Sequence, residues 1–160
     1  RAAQLHLLCA QPANKLHSQL DHGSISRATK INGHEPVLIN VDDAADRGIM
    51  DGATVRVFNQ RGACLCGARL TKEIMPGVVM IATGAWFDPD IAGESGLDCK
   101  HGNPNVLTPD RGTSSLAQGP AAHSCLVEIE LWKGAPVEVT AFKAPKIVQS
   151  NTGYLKKRNA

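Results

Sequence analysis

Short apolar runs separated by turns dominate the pattern of this chain, and they predict strands more often than helices. Residues 37–41 and 78–82 are almost entirely apolar, as in strands buried on both faces. Thr54–Phe58 and Cys125–Leu131 alternate apolar with polar positions, which predicts strands with one buried face. The chain is therefore predicted to be rich in β structure.

Turn signals separate these runs. Gln60-Arg61-Gly62 predicts a reversal, after which Ala63–Thr71 returns as a hairpin partner. Residues 83–123 are rich in Gly, Asn, Pro, Asp and Ser and show almost no period. Loops of that length in a compact domain are usually functional or disordered. Five or six short strands with long polar loops predict a small β-barrel whose loops carry out recognition.

Helical signals are few. A short helix is predicted over residues 44–47, with Asp42 or Asp43 as its N-cap and Gly48 at its end. Residues 114–117 are a second candidate for a helical turn, with Thr113 as the N-cap.

Composition narrows the class of protein. The 160 residues are 42% hydrophobic, which fits one core and hence one domain. A formal net charge of +2 predicts no dedicated nucleic-acid or membrane surface, and no apolar run is long enough to span a bilayer. The Lys-rich end of the chain is predicted to be a solvated tail.

The five cysteines predict reduced thiols and a cytoplasmic location, because their number is odd and their spacing fits neither a disulfide scaffold nor a zinc site. The chain begins at Arg1, so an export signal could lie upstream, and a periplasmic location is the alternative.

Three polar loops are candidate binding sites. His17, Ser18 and Gln19 offer an imidazole, a hydroxyl and an amide in succession, although Ser18 could instead cap a helix. Asn103 and Asn105 offer two amides suited to the edge of a neutral heteroaromatic ring, with an Asx turn as the structural alternative.

The third loop, residues 110–119, carries Ser114, Ser115 and Gln118. Its hydroxyls and backbone N–H groups could hold phosphate, Gln118 could bind the edge of a base, and Arg111 could add charge. The loop lacks the lysine of a Walker motif, and the chain contains no Gly-x-Ser-x-Gly nucleophile elbow. A hydrolase is therefore not favoured.

The order of motifs along residues 5–139 is distinctive. It comprises Leu16-His17-Ser18-Gln19, Ile39-Asn40-Val41-Asp42-Asp43-Ala44, Arg47-Gly48-Ile49, Gly84-Ala85-Trp86-Phe87-Asp88-Pro89, Gly102-Asn103-Pro104-Asn105-Val106-Leu107-Thr108 and Gly112-Thr113-Ser114. This order resembles the C-terminal molybdopterin-guanine-dinucleotide-binding domain of the dimethyl sulfoxide reductase family. The first and fifth motifs look most similar to those of the biotin sulfoxide and trimethylamine N-oxide reductases.

The resemblance implies a six-stranded double-psi β-barrel over residues 1–139, followed by a tail over residues 140–160. It also implies cofactor contacts for nine residues: His17, Ser18, Gln19, Asn59, Asn103, Asn105, Ser114, Ser115 and Gln118. The implied cofactor is bis-molybdopterin guanine dinucleotide, with molybdenum held through the dithiolenes in the full-length enzyme. The implied partners are the remaining domains of the same reductase.

By this resemblance, the full-length enzyme transfers an oxygen atom from an S- or N-oxide to molybdenum. The chain itself is expected to bind rather than to catalyse. The alternative is a self-contained double-psi barrel without molybdenum cofactor, either a binding module or a decarboxylase that cleaves itself at a Gly-Ser bond such as Gly23-Ser24.

Overall fold

The computed structural model describes residues 4–91, 93, 95–122, 125–144 and 147. Within these residues, six strands form a closed barrel in the order β1-β5-β2-β4-β3-β6. The strands are β1 (Leu5–Leu8), β2 (Pro36–Asn40), β3 (Thr54–Phe58), β4 (Ala63–Thr71), β5 (Val78–Ile81) and β6 (Cys125–Leu131). The predicted mainly β fold, a closed six-stranded double-psi barrel with short helices and long polar loops, is confirmed.

The barrel contains both parallel and antiparallel strand pairs. β1 runs parallel to β5, and β2 runs parallel to β4. The other four pairings are antiparallel. β3 and β4 form the predicted hairpin, which closes where the Asn59 N–H donates to the Gly62 carbonyl at 3.0 Å.

Two strands predicted to be buried on both faces have only one buried face. Val37 and Ile39 point into the core while Leu38 between them is partly exposed, and β5 alternates in the same way. The reason is that a closed barrel has a single interior, which one side of each strand fills. β4 is the exception, because Leu97, Trp132 and Val137 pack on its outer face against Ala63 and Leu65.

The helix after β2 begins earlier than predicted. α2 spans Val41–Ala45, and its N-cap is Asn40, whose side-chain oxygen accepts from the Asp42 N–H at 2.9 Å. The prediction of Asp42 or Asp43 as the cap was therefore wrong. Both carboxylates instead lie in the first turn, where the helix dipole favours negative charge.

Two further helix predictions were wrong. α1 spans Ser24–Ala28 and has Gly23 as its N-cap, so Ser18 caps no helix. The segment from Gly112 to Pro120 is a hairpin-like loop, in which the Thr113 N–H donates to the Gly119 carbonyl at 2.9 Å. The Thr113 hydroxyl donates to a carbonyl at Ala117 and does not accept from a helix N–H.

The segment after β6 lies against the barrel loops. The Trp132 indole N–H donates to the Ala135 carbonyl at 2.9 Å, and both the N–H and the hydroxyl of Thr140 donate to Asp88 at 2.6 Å. Most of the predicted tail lies outside the described residues, and the predicted domain boundary at residue 139 stays a prediction. No helix among the described residues is long and apolar enough to cross a membrane.

Candidate functional site

The predicted polar loops leave the barrel at the same end, named here the loop end. β1, β3 and β5 finish at the loop end, and β2, β4 and β6 begin there, as their pairings require. The loop that follows β1 carries His17, and the segment between β5 and β6 carries Asn105 and Gln118. Topology therefore brings distant parts of the sequence to one end of the molecule.

A cleft of about 450 Å³, named here the main cleft, opens between these loops. Its lining residues are His17, Ser18, Thr83, Gly84, Ala85, Trp86, Phe87, Asn103 and Asn105. The structure thus brings together His17 and Ser18 from the first predicted loop with Asn103 and Asn105 from the second.

Close backbone contact joins two walls of the main cleft. Gly84 has φ of +95°, and a Cβ at this position would lie 1.8 Å from the His17 carbonyl oxygen. A residue without a side chain is required there because of both the left-handed backbone and the contact. His17 itself has φ of +50°, an uncommon conformation for a residue with a side chain.

Trp86 reinforces this contact. Its indole N–H donates to the Ser18 carbonyl at 2.8 Å, and its backbone N–H donates to the buried carboxylate of Asp21 at 2.9 Å. The indole also contacts the rings of His22 and Phe142, with centroids 5.3 and 5.7 Å away. Through Ser18, Asp21 and His22, Trp86 therefore fixes the loop after β5 to the loop after β1.

Asn103 and Asn105 form one wall of the main cleft, named here the asparagine wall. This wall contains the Asx turn that was the structural alternative in the sequence analysis. The Asn103 side-chain oxygen accepts from the Asn105 N–H at 2.9 Å and caps the 3-10 helix Pro104–Val106. The Asn105 side chain is exposed at the cleft. Turn formation and cleft lining are thus combined in one segment.

The main cleft presents neutral hydrogen-bonding groups. Its lining includes one imidazole, two hydroxyls and two amides, together with the aromatic rings of Trp86 and Phe87. Among the described residues, no carboxylate, lysine or arginine lines the cleft. Such groups can match the fixed donors and acceptors of a polar heterocycle without placing a charge in the site. This set of side chains is suited to binding.

The described part of the chain contains neither an exposed thiol nor a cluster of metal-ligating side chains. All five cysteines are free and buried, and burial, followed by the nearby thiols of Cys125 and Cys64, raises the pKa of Cys9 to about 12. Thiols with raised pKa values are poor nucleophiles at neutral pH. No group of three or more metal-ligating side chains occurs in the described ranges.

Comparison with known proteins identifies the family. The family model described as "Molydopterin dinucleotide binding domain" matches residues 5–126. The chain belongs to this family. The predicted family resemblance and the predicted cofactor class are thereby confirmed.

Individual relatives agree with this family. Trimethylamine-N-oxide reductase 1 of Escherichia coli O157:H7 is 51% identical over 152 residues, which cover 94% of this chain and 18% of that protein. The dimethyl sulfoxide/trimethylamine N-oxide reductase of Cereibacter sphaeroides is 47% identical over 142 residues, covering 89% of this chain and 17% of that protein. The chain therefore spans less than a fifth of the length of these relatives.

A solved structure shows the shared fold. Acetylene hydratase from Pelobacter acetylenicus superimposes with a TM-score of 0.62 over 80% of this chain and 18% of that chain, at 16% sequence identity. Similarity at that level of identity concerns the barrel architecture alone.

The main cleft fits part of a molybdopterin dinucleotide. A pterin presents ring nitrogens and an oxo group along one edge, and the amides of Asn103 and Asn105 and the groups at His17 and Ser18 are neutral partners for such an edge. Gly84, with positive φ and no side chain, lets the wall formed by residues 83–87 lie directly against His17 at the edge of the cleft.

The remaining predicted site residues lie outside the main cleft. Gln19 is exposed in the turn closed by its N–H and the Leu16 carbonyl at 2.9 Å. Ser114, Ser115 and Gln118 are exposed on the hairpin-like loop, where the Gln118 amide donates to the Ser114 carbonyl at 2.8 Å. Cofactor contact by these four side chains stays a prediction.

Asn59 lies in a second cleft of about 420 Å³, which Arg61 and Arg111 also line. Its amide N–H₂ is within hydrogen-bonding distance of the Leu107 and Leu126 carbonyls, at 3.0 and 3.1 Å. Its side-chain oxygen accepts from the Arg61 N–H at 2.8 Å. Asn59 therefore ties the end of β3 to β6, and cofactor contact by Asn59 stays a prediction.

Sequence reasoning assigned no role to the wall formed by Thr83, Gly84, Ala85, Trp86 and Phe87, although these residues line the main cleft. The available signal was a glycine followed by two aromatic residues directly after a buried strand. Glycine in such a place marks a close approach of backbones, and exposed aromatic residues mark binding surfaces.

The structure does not favour the self-cleaving alternative. The Gly23-Ser24 bond lies at the start of α1, where the Gly23 carbonyl accepts from the Arg27 N–H at 2.9 Å in a regular helical hydrogen bond. The extensive identity to reductases also points away from a self-contained decarboxylase.

Proposed function

We propose that this chain is the molybdopterin-guanine-dinucleotide-binding domain of an S- or N-oxide reductase. The main cleft carries the proposal, because its neutral side chains are suited to a pterin and it occurs in a member of the cofactor-binding family. The names of the two reductases described above support the reaction, which is the removal of an oxygen atom from an oxide substrate.

In this proposal, the role of the domain is to bind and orient the cofactor. When bound, the cofactor supplies the molybdenum centre that accepts the oxygen atom. His17, Ser18, Asn103 and Asn105 would hold the heterocycle through hydrogen bonds, while Trp86 and Phe87 would shield it from water. The second cleft, through Arg61 and Arg111, would suit the negative charge of the pyrophosphate.

The partners in this proposal are the other domains of the same polypeptide. The relatives are more than five times as long as the region they share with this chain. A cofactor of two dinucleotides exceeds the size of one 450 Å³ cleft, so further domains would enclose the remainder.

The proposal predicts that cofactor content depends on single side chains of the main cleft and of the hairpin-like loop at residues 112–120. Asn105→Ala and Gln118→Ala are introduced into the full-length polypeptide that carries this domain, and pterin and molybdenum are measured per purified polypeptide. Each variant should lose about 1–3 kcal/mol of binding, because a buried polar partner on the cofactor would be left without its hydrogen bond. Reduction of trimethylamine N-oxide and of dimethyl sulfoxide should fall in proportion to the lost cofactor.

Lys72→Ala is the control, because Lys72 is exposed just beyond β4 at the opposite end of the barrel. It should keep full cofactor content. A full-length polypeptide that contains no pterin would refute the proposed function. Full pterin content in both site variants would instead refute the residue assignment.

A further inference from the structure

Four charged side chains lie buried beneath the main cleft and form what is named here the buried charge cluster: Lys15, Asp21, Lys30 and Glu35. Their side chains are between 0% and 5% exposed. Lys15 Nζ lies 2.6 Å from Asp21 Oδ1 and 3.0 Å from Glu35 Oε2. Lys30 Nζ lies 2.8 Å from Asp21 Oδ1 and also contacts Glu35 Oε2.

The buried charge cluster pairs two lysines with two carboxylates, and the contacts between them favour the charged forms of Asp21 and Lys15. Burial by itself would raise the pKa of Asp21, but hydrogen bonds from Lys15, Lys30 and the Trp86 N–H lower it to about 2. Burial would likewise lower the pKa of Lys15, yet the hydrogen bond to Asp21 and the charge of Glu35 raise it. Two lysines therefore face two carboxylates inside the protein.

Stability alone is a weak reason for such a cluster. Removing charges from water is unfavourable, and well-packed apolar residues of similar volume often stabilise a protein equally well. Buried ionic groups can instead fix one geometry among several, because every other arrangement leaves a charge without its partner. The question is then which geometry this cluster fixes.

Asp21 connects the cluster to two walls of the main cleft. Its Oδ1 accepts from both lysines and from the Ser26 hydroxyl, the latter at 3.2 Å. Its Oδ2 accepts from the Trp86 N–H at 2.9 Å. Since the Trp86 indole in turn donates to the Ser18 carbonyl, one carboxylate holds the loop after β5 against the loop after β1.

Glu35 connects the cluster to the asparagine wall. Its backbone N–H donates to the His101 carbonyl at 3.0 Å, and a Cβ at Gly102 would lie 2.8 Å from the Glu35 Cβ. His101 Nδ1 also lies 3.0 Å from the Trp86 carbonyl. The residues of the cluster thus contact the loops after β1 and β5 through Asp21, and the segment just before Asn103 through the backbone of Glu35.

We propose that the buried charge cluster is a positioning device, in which Asp21 holds Trp86 and its neighbours in the ligand-binding arrangement before the cofactor arrives. The inference rests on the proposed function, because it concerns how the same cleft is prepared. Preorganisation raises affinity by removing the cost of ordering loops at the moment of binding. Asp21 and its partners act through Trp86 and are positioning residues.

The test compares two charge-balanced double variants of the full-length polypeptide. Asp21→Leu with Lys30→Met removes the oxygen that accepts from the Trp86 N–H and leaves the Lys15–Glu35 pair. Lys15→Met with Glu35→Gln leaves Asp21 bound to both Lys30 and Trp86. Both variants keep the net charge of the cluster at zero, so they differ mainly in the contact to Trp86.

Amide hydrogen exchange is measured on the cofactor-free protein, and pterin content on the purified holoenzyme. The first double variant should speed exchange at residues 83–87 at least tenfold, keep β2 and β4 protected, and lower pterin content severalfold. The second should change both quantities far less. Asp43→Asn is the matched single control, because it removes a carboxylate that accepts from the Gly77 N–H at 2.7 Å at the opposite end of the barrel.

Equal effects of the two double variants would overturn the inference, since the contact to Trp86 would then have no special role. Loss of protection in β2 and β4 would also overturn it, because the cluster would then support the barrel itself. An unsubstituted polypeptide without any pterin would refute the proposed function. The exchange results would still decide whether Asp21 orders the loop.

Discussion

His101 is completely buried, yet only one of its ring nitrogens has a hydrogen-bond partner among the described residues. Nδ1 lies 3.0 Å from the Trp86 carbonyl, and Nε2 has no partner there. Phe142 packs edge-on against the ring, with centroids 4.9 Å apart. Burial, and then the positive charge of Lys30, lowers the pKa of His101, so the imidazole is neutral in the folded protein at neutral pH.

The free energy of unfolding should therefore fall as the pH drops below about 6.5, the ordinary pKa of histidine. The unfolded chain then binds a proton that the folded chain excludes, and the difference is worth up to about 1.4 kcal/mol per pH unit. His101→Gln should reduce this slope when unfolding by urea is measured between pH 7.5 and pH 5. Burial also lowers the pKa of His34, so part of the pH dependence should remain in the His101→Gln variant. A slope equal to that of the unsubstituted protein would contradict the assignment to His101.

Single residues also mark the limit of prediction from sequence. Asn103, Asn105 and His17 could be selected because they belong to the ordered motifs that resemble the cofactor-binding family. Lys15 and Glu35 could not be selected, since lysine and glutamate are almost never buried unless paired. Their pairing depends on contacts between the loop after β1 and the start of β2, which no local pattern encodes.

At the scale of elements, the strands were predictable because each contains its own apolar pattern and is bounded by turn residues. β3 and β4 have the bounds that the sequence predicted. The hairpin-like loop at residues 112–120 was mistaken for a helical turn, because a Thr-Ser-Ser sequence favours both a helix N-terminus and a tight turn. The choice between them depends on hydrogen bonds to Gly119 and Ala117.

The contact between the loops after β1 and β5 gives a prediction at this scale. Gly84→Ala should separate the two loops, because its Cβ would lie 1.8 Å from the His17 carbonyl oxygen on a backbone with φ of +95°. The full-length polypeptide should lose most of its pterin, while the circular dichroism of the barrel should stay the same. Gly77→Ala is the control, with φ of +81° and no atom within 4 Å of the added Cβ. Equal pterin content in both variants would show that the loop contact is dispensable.

At the scale of the whole molecule, the segment after β6 completes the loop end. Thr140 donates twice to Asp88, and Phe142 packs against both Trp86 and His101. A boundary at residue 139, predicted from the reach of the family motifs, would separate these contacts from the barrel. The predicted cytoplasmic location, which followed from the cysteines, stays a prediction.

Truncation tests the role of this segment. Polypeptides that end at residue 144 and at residue 139 differ only by residues 140–144. The shorter one should have a lower melting temperature and less protection of the Trp86 amide from hydrogen exchange, because Asp88 loses two donors and Trp86 loses an aromatic neighbour. The expected loss is about 1–3 kcal/mol. Identical melting curves would support the boundary at residue 139.

The circular order of the strands has a consequence for how the polypeptide folds during synthesis. β1 is flanked only by β5 and β6, so its backbone has no sheet partner until the ribosome has released residues some seventy positions downstream. The other edge of β1 pairs with β6, which spans Cys125–Leu131 and is synthesised later still. Nearly the entire domain must therefore emerge before the sheet can close, and pairings this distant in sequence favour slow folding. Until then the unpaired backbone N–H and C=O groups of β1 are open to pairing with other chains.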